Sequence, residues 1–137
     1  MTDDEQHQQQ QQQQHSIMDR YWPVDPLHTV FVKLFIATLL KLPPLTSSAF
    51  SLRGRPVSRA EVVGWIVRRD EKNQNSRLML TLDDATGLLE VLVWERRFER
   101  EPTIDWSALQ IGTLVRIRGK LSYYAKRVQL TAFSAAI

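Results

Sequence analysis

From Ala60 onward, apolar residues recur at every second position, which is the period of a β-strand. In the first such run Val62, Gly64 and Ile66 share one face, and Val63, Trp65 and Val67 share the other. A strand with two apolar faces is buried or strongly curved, and a mid-strand Gly64 suits the bend of a barrel corner. A polar loop over residues 70–76 leads to a second strand, where Leu78, Leu80 and Leu82 alternate with Met79 and Thr81. Asp83-Asp84-Ala85-Thr86-Gly87 reads as a tight hairpin connection. Aspartate favours the turn start, and Gly87 is expected to take the positive φ that closes a bulged loop. Leu89, Val91 and Val93 set the inward phase of a third strand, and Trp94 ends it out of that phase. In a fourth strand Val115, Ile117, Gly119 and Leu121 face one way and Arg116, Arg118 and Lys120 the other. A turn over residues 123–126 follows. Val128, Leu130 and Ala132 then alternate with Arg127, Gln129 and Thr131 in a fifth strand.

Residues 95–109 are charged and include Pro102, so they read as an irregular crossover with a helical turn near Trp106. Three strands, a crossover and two more strands is the order of an all-β, five-stranded OB-fold barrel. Closure also removes the open edges that five loose strands would expose. An SH3-like barrel or a small open sheet is the competing architecture, and the crossover between strands three and four favours the OB order.

Upstream the pattern is weaker. Val30, Val32, Leu34 and Ile36 alternate with Phe31, Lys33, Phe35 and Ala37, which suggests a strand followed by a helical turn over residues 38–42. Helix throughout is the alternative, and Pro43-Pro44 stops either one. Residues 46–51 read as loop. Gln8 to Gln14 form a homopolymeric run that cannot bury a core, so residues 1–17 are expected to be a disordered Gln-rich tail and residues 18–137 the OB-fold domain. The apolar run from Val30 to Leu40 is broken by Lys33 and is shorter than the roughly 20 residues of a spanning helix, so an intracellular protein is expected.

Charge placement sharpens this outline. Residues 1–58 carry five basic and five acidic side chains, whereas residues 59–137 carry thirteen basic and ten acidic. From Arg116 to Ile137 there are five basic residues and no acidic one, so the excess falls on the last two strands. Catalytic chemistry has little support. There is no cysteine, and the three histidines all precede the barrel without metal-ligand spacing. No nucleophile motif or Gly-rich phosphate loop is present. Turn formation accounts for Asp83 and Asp84. The chain is therefore expected to be a binding protein without catalytic residues, cofactor or metal.

Single-stranded nucleic acid is held by a cationic groove and aromatic platforms. Arg116, Arg118 and Lys120 supply one row of cations, and Lys126 and Arg127 at the next hairpin supply more that one groove could collect. A solvated outer face is the alternative for the first three. Trp94 reads as a stacking platform or as a cap on the barrel end. Tyr123 and Tyr124 stand at a hairpin tip with no evident core to fill, which points to a ligand or partner. Trp65 is expected to pack under the N-terminal segment, and Trp22 and Trp106 to anchor that segment and the crossover.

Several of these runs together resemble the middle, OB-fold subunit of the CST telomere-capping complex, in its short plant-type form, itself similar to the middle subunit of replication protein A. The shared pieces are Tyr21-Trp22-Pro23-Val24-Asp25-Pro26, Val32-Lys33-Leu34-Phe35, Gly54-Arg55-Pro56-Val57, the run from Glu61 to Val67, Leu82-Asp83-Asp84-Ala85-Thr86-Gly87, Val93-Trp94, and Val115 to Leu121. The resemblance covers about residues 21–133. It implies that Trp94 and Tyr124 are base-stacking platforms. It also implies single-stranded telomeric DNA, a small OB-fold subunit and a large subunit as partners, together with assistance to DNA polymerase α–primase in lagging-strand fill-in. The implied location is the nucleus, on chromosomes at the telomere. The general alternatives are a protein-interaction scaffold and an OB module for single-stranded DNA or RNA. In the family a helix after the fifth strand packs against the small partner. The sequence stops at Ile137, so either this is a truncated or divergent product or that contact is expected to fall to the barrel and the N-terminal segment alone.

Overall fold

The run with two apolar faces forms one long bent strand. In a computed structural model, which describes residues 5, 25–26, 29–72, 76–95 and 104–137, it is β4 (Arg59–Lys72). The expected disorder of the Gln-rich tail, the anchoring role of Trp22 and most of the crossover (96–103) lie outside the described residues. Three short elements precede β4 and attach to it: β1 (Val32–Lys33), α1 (Ile36–Leu40) and the hairpin of β2 (Phe50–Leu52) with β3 (Arg55–Val57). After it come β5 (Arg77–Asp83), β6 (Leu88–Trp94), a 3-10 turn (Trp106–Ala108), β7 (Leu114–Tyr124) and β8 (Arg127–Ala136).

The first half of β4 pairs antiparallel with β7, from Arg59↔Lys120 to Trp65↔Leu114. Its second half pairs antiparallel with β5, from Trp65↔Asp83 to Lys72↔Arg77. The remaining ladders are β5–β6, β6–β8 in parallel, and β8–β7, so β4-β5-β6-β8-β7 closes on itself. This is the expected five-stranded OB barrel. Gly64 sits where β4 changes partners. A Cβ there would lie 3.0 Å from the Asp83 carbonyl oxygen, which explains why this bend takes glycine. A bulge between Ile66 and Arg68 adds curvature just beyond it.

The inward rows read from the sequence form the core. Val62, Ile66, Leu78, Leu80, Leu82, Leu89, Val91, Val93, Val115, Ile117, Leu121 and Leu130 are all buried. Covering one such side chain contributes roughly 1.5–3 kcal/mol relative to leaving it in water. The N-terminal elements add Ile36, Leu39, Phe50 and Val57 to the same buried cluster. Arg69 holds the end of the crossover by donating from Nε to the Leu109 carbonyl at 2.9 Å, and Trp106 packs against the core at that point.

The upstream pattern resolves differently from its β-like alternation. Only Val32–Lys33 is strand, paired in parallel with Ala60 and Glu61, and the helix begins at Ile36. The cause is tertiary. The Ile36 N–H donates to Asp84 Oδ2 at 2.8 Å and the Ala37 N–H to Thr86 Oγ1 at 3.0 Å, so the β5–β6 turn supplies the helix cap from 48 and 49 residues away. The same turn corrects the reading of Gly87. Ala85 takes the positive φ (72°), while Gly87 is small because a Cβ would lie 3.1 Å from Ile36 Cγ2. The expected loop after Pro44 contains the first strand of the β2–β3 hairpin, which turns at Arg53 and Gly54.

Candidate nucleic-acid interface

The outward faces of β5 and β6 form the floor of a cleft of about 640 Å³. Its floor includes Thr81, Leu88 and Glu90; one wall is residues 40–44, from the last residue of α1 onward, and the other is Tyr123, Lys126, Arg127 and Val128 of the β7–β8 hairpin. Arg68, displaced by the β4 bulge, enters from the third side. The hairpin turns on Ala125 and Lys126, both at positive φ (51° and 63°). That geometry follows the twist of the flanking strands, though neither residue is the glycine or asparagine that adopts it at low cost. The N-terminal segment braces the hairpin. The Tyr123 N–H donates to the Ser47 carbonyl at 2.8 Å, and the Tyr123 ring meets Phe50 edge-on at 6.4 Å.

Register extends this surface in rows across the barrel. One row is Arg68–Thr81–Glu90–Gln129–Ser122, and the next is Asp70–Met79–Leu92–Thr131–Lys120. Beyond them Trp94 pairs with Arg77 about 13 Å along β6 from Glu90, at 3.3 Å per residue. Trp94 is 37% exposed and Tyr124 75% exposed, so both rings offer a face to solvent. Glu90 accepts from Arg127 at 3.3 Å and from Gln129 Nε2 at 3.0 Å. Lys41, Arg68, Lys120 and Lys126 have no carboxylate partner among the described residues. Nor does any group of three or more His, Cys, Asp or Glu lie together among them as a metal site would require.

Arg116 and Arg118 lie elsewhere. β7 pairs with the first half of β4, which sets Arg118 opposite Glu61, itself 7% exposed, and Arg116 opposite the neighbouring Val63. Glu61 accepts from Arg118 Nε at 2.9 Å, lies 3.5 Å from Arg116 Nε, and lies 3.7 Å from Lys33 Nζ of β1. The Arg118 hydrogen bond outweighs burial and, with the attraction of all three cations, holds the Glu61 carboxyl below the usual carboxylate range. The five sequence-selected cations therefore do not share one groove: Lys126 and Arg127 line the cleft, Lys120 continues one of its rows, and Arg116 and Arg118 belong to the β4–β7 seam. Trp65, expected beneath the N-terminal segment, is half exposed on that seam. Sequence reasoning missed Arg68, Leu88 and the wall over residues 40–44. Nothing in the alternation marks Arg68, because a bulge places it, and Pro43-Pro44 was informative only as a stop.

A closed five-stranded barrel whose outer β5–β6 face is bordered by exposed rings and by cations without a described carboxylate partner belongs to the class of OB-fold binding modules. The comparisons agree. Residues 60–137 match the family of OB-fold nucleic acid binding domains, and the chain belongs to that family. It is similar to CST complex subunit STN1 of Arabidopsis thaliana, at 28% identity over 131 residues, covering 84% of this chain and 79% of that protein. It is also similar to CST complex subunit STN1 of Ailuropoda melanoleuca, at 24% identity over 133 residues, covering 80% of this chain. The chain spans about a third (36%) of the length of that animal relative. Among solved structures, the S. pombe Stn1-ten1 complex shares the fold with a TM-score of 0.65 at 23% identity, covering 79% of this chain and 78% of the other. The resemblance drawn from the sequence motifs is thus also found by whole-chain comparison.

Proposed function

We propose that the chain is a telomere-capping accessory subunit that binds single-stranded telomeric DNA within a multi-subunit complex. Its role is chromosome-end protection and support of lagging-strand fill-in by DNA polymerase α–primase. A small OB-fold subunit and a large subunit are its partners, and the nucleus, at telomeres, is its location. It acts by binding and holds no catalytic residue. The observation that carries this reading is the outer β5–β6 face, which is bordered by exposed rings and by cations without a carboxylate partner among the described residues. Tyr123, Lys126, Arg127 and Arg68 hold the strand at the cleft. Tyr124 and Trp94 stack bases at either side, and Lys120 meets a phosphate on the neighbouring row. The similarity to STN1 subunits supplies the telomeric assignment.

The test is titration of the chain with a fluorescent telomere-type single strand at several salt concentrations. Log affinity should fall linearly with log salt, with a slope of about −0.7 for each phosphate neutralised. Replacing Lys126 and Arg127 by alanine should make that slope shallower by about 1.4. An unchanged slope refutes the cleft. Equal competition by a matched RNA would replace telomeric DNA with a general single-strand ligand, because the 2′-hydroxyl distinguishes the two.

A further inference from the structure

We infer that Glu90 is a specificity-determining residue, which reads the Watson–Crick edge of one guanine of the bound strand from the cleft floor. The assignment rests on the reading that the cleft holds single-stranded DNA. The floor carries a charge opposite to that of its rim. Arg68, Lys126 and Arg127 attract phosphate, yet between them stands the Glu90 carboxylate, with its side chain 32% exposed. A carboxylate there repels the strand's backbone, so what it gains from a strand is the N–H donors of a base edge. The neighbouring Asp70 is already engaged, with Lys72 Nζ 3.5 Å from its carboxylate.

The carboxylate is held in place. Oε1 accepts from Arg127 Nη1 at 3.3 Å, and Oε2 accepts from Gln129 Nε2 at 3.0 Å. Each oxygen of an ionised carboxylate has two lone pairs, so one acceptor position stays open on each. A pocket of about 120 Å³ adjoins the cleft at this point and shares Arg68, Thr81 and Glu90 with it. Two adjacent acceptors discriminate among the bases. Guanine presents two neighbouring donors on its pairing edge, N1–H and the 2-amino group. Adenine and cytosine each set one donor beside a bare ring nitrogen, whose lone pair would face the second carboxylate oxygen. Thymine has one donor flanked by two carbonyls. Guanine also carries the O6 acceptor next to N1. Arg68 lies in the same register row as Glu90, two strands or about 10 Å away across Thr81, with no carboxylate partner among the described residues, so it can donate to O6.

The experiment measures the affinity of the full chain for a thymine-only single strand and for the same strand carrying one central guanine, adenine, cytosine or inosine. The wild type should bind the guanine strand about tenfold more tightly than the adenine or cytosine strand. Inosine, which lacks only the 2-amino group, should lose about fivefold of that preference. Glu90→Ala should bind the guanine and adenine strands alike and keep at least its affinity for the thymine strand, because the repelling charge is gone. Glu90→Gln exchanges one acceptor for a donor and should move the preference from guanine to adenine. A gain of adenine binding cannot come from misfolding or from a purely structural Glu90. Equal losses on every strand in both variants would make Glu90 only a brace for Arg127 and overturn the inference. A wild type that binds every strand alike, or that prefers cytosine, overturns it too and leaves the proposed DNA binding standing. A wild type that binds none of the strands refutes both.

Discussion

The cleft and the seam carry similar numbers of cations and differ in what those cations touch. At the cleft, Arg68 and Lys126 extend from a bulge and a strained two-residue turn, and no described carboxylate neutralises them. At the seam, Lys33, Arg116 and Arg118 converge on an almost buried glutamate. Cations without a fixed counter-charge suit a flexible polyanion, whose backbone needs charge more than geometry. Cations locked by an internal anion suit a rigid partner, because their ordering cost is met before the partner arrives. A basic face is therefore not a sufficient description of binding, since the state of its counter-charges decides which kind of ligand it can serve.

The largest expected effect tests the seam. Glu61→Gln should cost about 1.5–3 kcal/mol of stability, read as a lower urea midpoint, because a charge-assisted hydrogen bond to Arg118 and two ion-pair contacts are lost from a buried position. The folded-state Glu61 carboxyl titrates below its ordinary value. Its contribution is therefore complete above the ordinary carboxylate range and disappears as pH falls through the depressed folded value. Glu61→Gln should flatten that acid limb of the stability curve. An unchanged midpoint and acid limb would mean that the seam cations are not held by Glu61.

Next comes the cleft. Tyr124→Ala should weaken single-strand binding by about 1–3 kcal/mol, the worth of one stacked base, with little change in melting because the ring is exposed. A comparable loss of stability would mean that the ring is a structural contact.

Asp84→Ala should destabilise the fold by about 0.5–2 kcal/mol by uncapping α1 and loosening the cleft wall, with a smaller fall in DNA affinity. At Asp84 burial pushes the carboxyl pKa up. Donation from Ile36, Thr86 and Gly87 outweighs it, so the net position is low. This contribution too is lost as pH falls through the depressed value, and the alanine variant should lack it. An unchanged acid limb in Asp84→Ala would place the carboxylate outside the cap.

The smallest effect separates turn strain from function. Ala125→Asn combined with Lys126→Gly should raise stability by up to about 1 kcal/mol, because both residues stand at positive φ. The same pair should lower DNA affinity through the missing Lys126 charge. Higher stability with undiminished affinity would remove Lys126 from the interface.

The period-two rows, the DD-x-T-G turn and the crossover by themselves determined the barrel. Inward and outward faces follow from strict alternation, and every inward row named from the sequence is buried apart from Val128 and Ala132, which are partly covered. The outward phase of Trp94 and the exposure of Tyr124 were legible for the same reason. Only the tertiary structure decided which outward residues meet. Arg116 and Lys126 are ten positions apart within the last hairpin, yet the β4–β7 pairing gives one to Glu61 and the β7–β8 turn gives the other to the cleft. The helix start at Ile36 was equally hidden, because its cap comes from Asp84 and Thr86 on another hairpin. Alternation is a property of one strand and can be read along the chain. Counter-charges, caps and cleft walls are made between strands, so they exist only once the register is set.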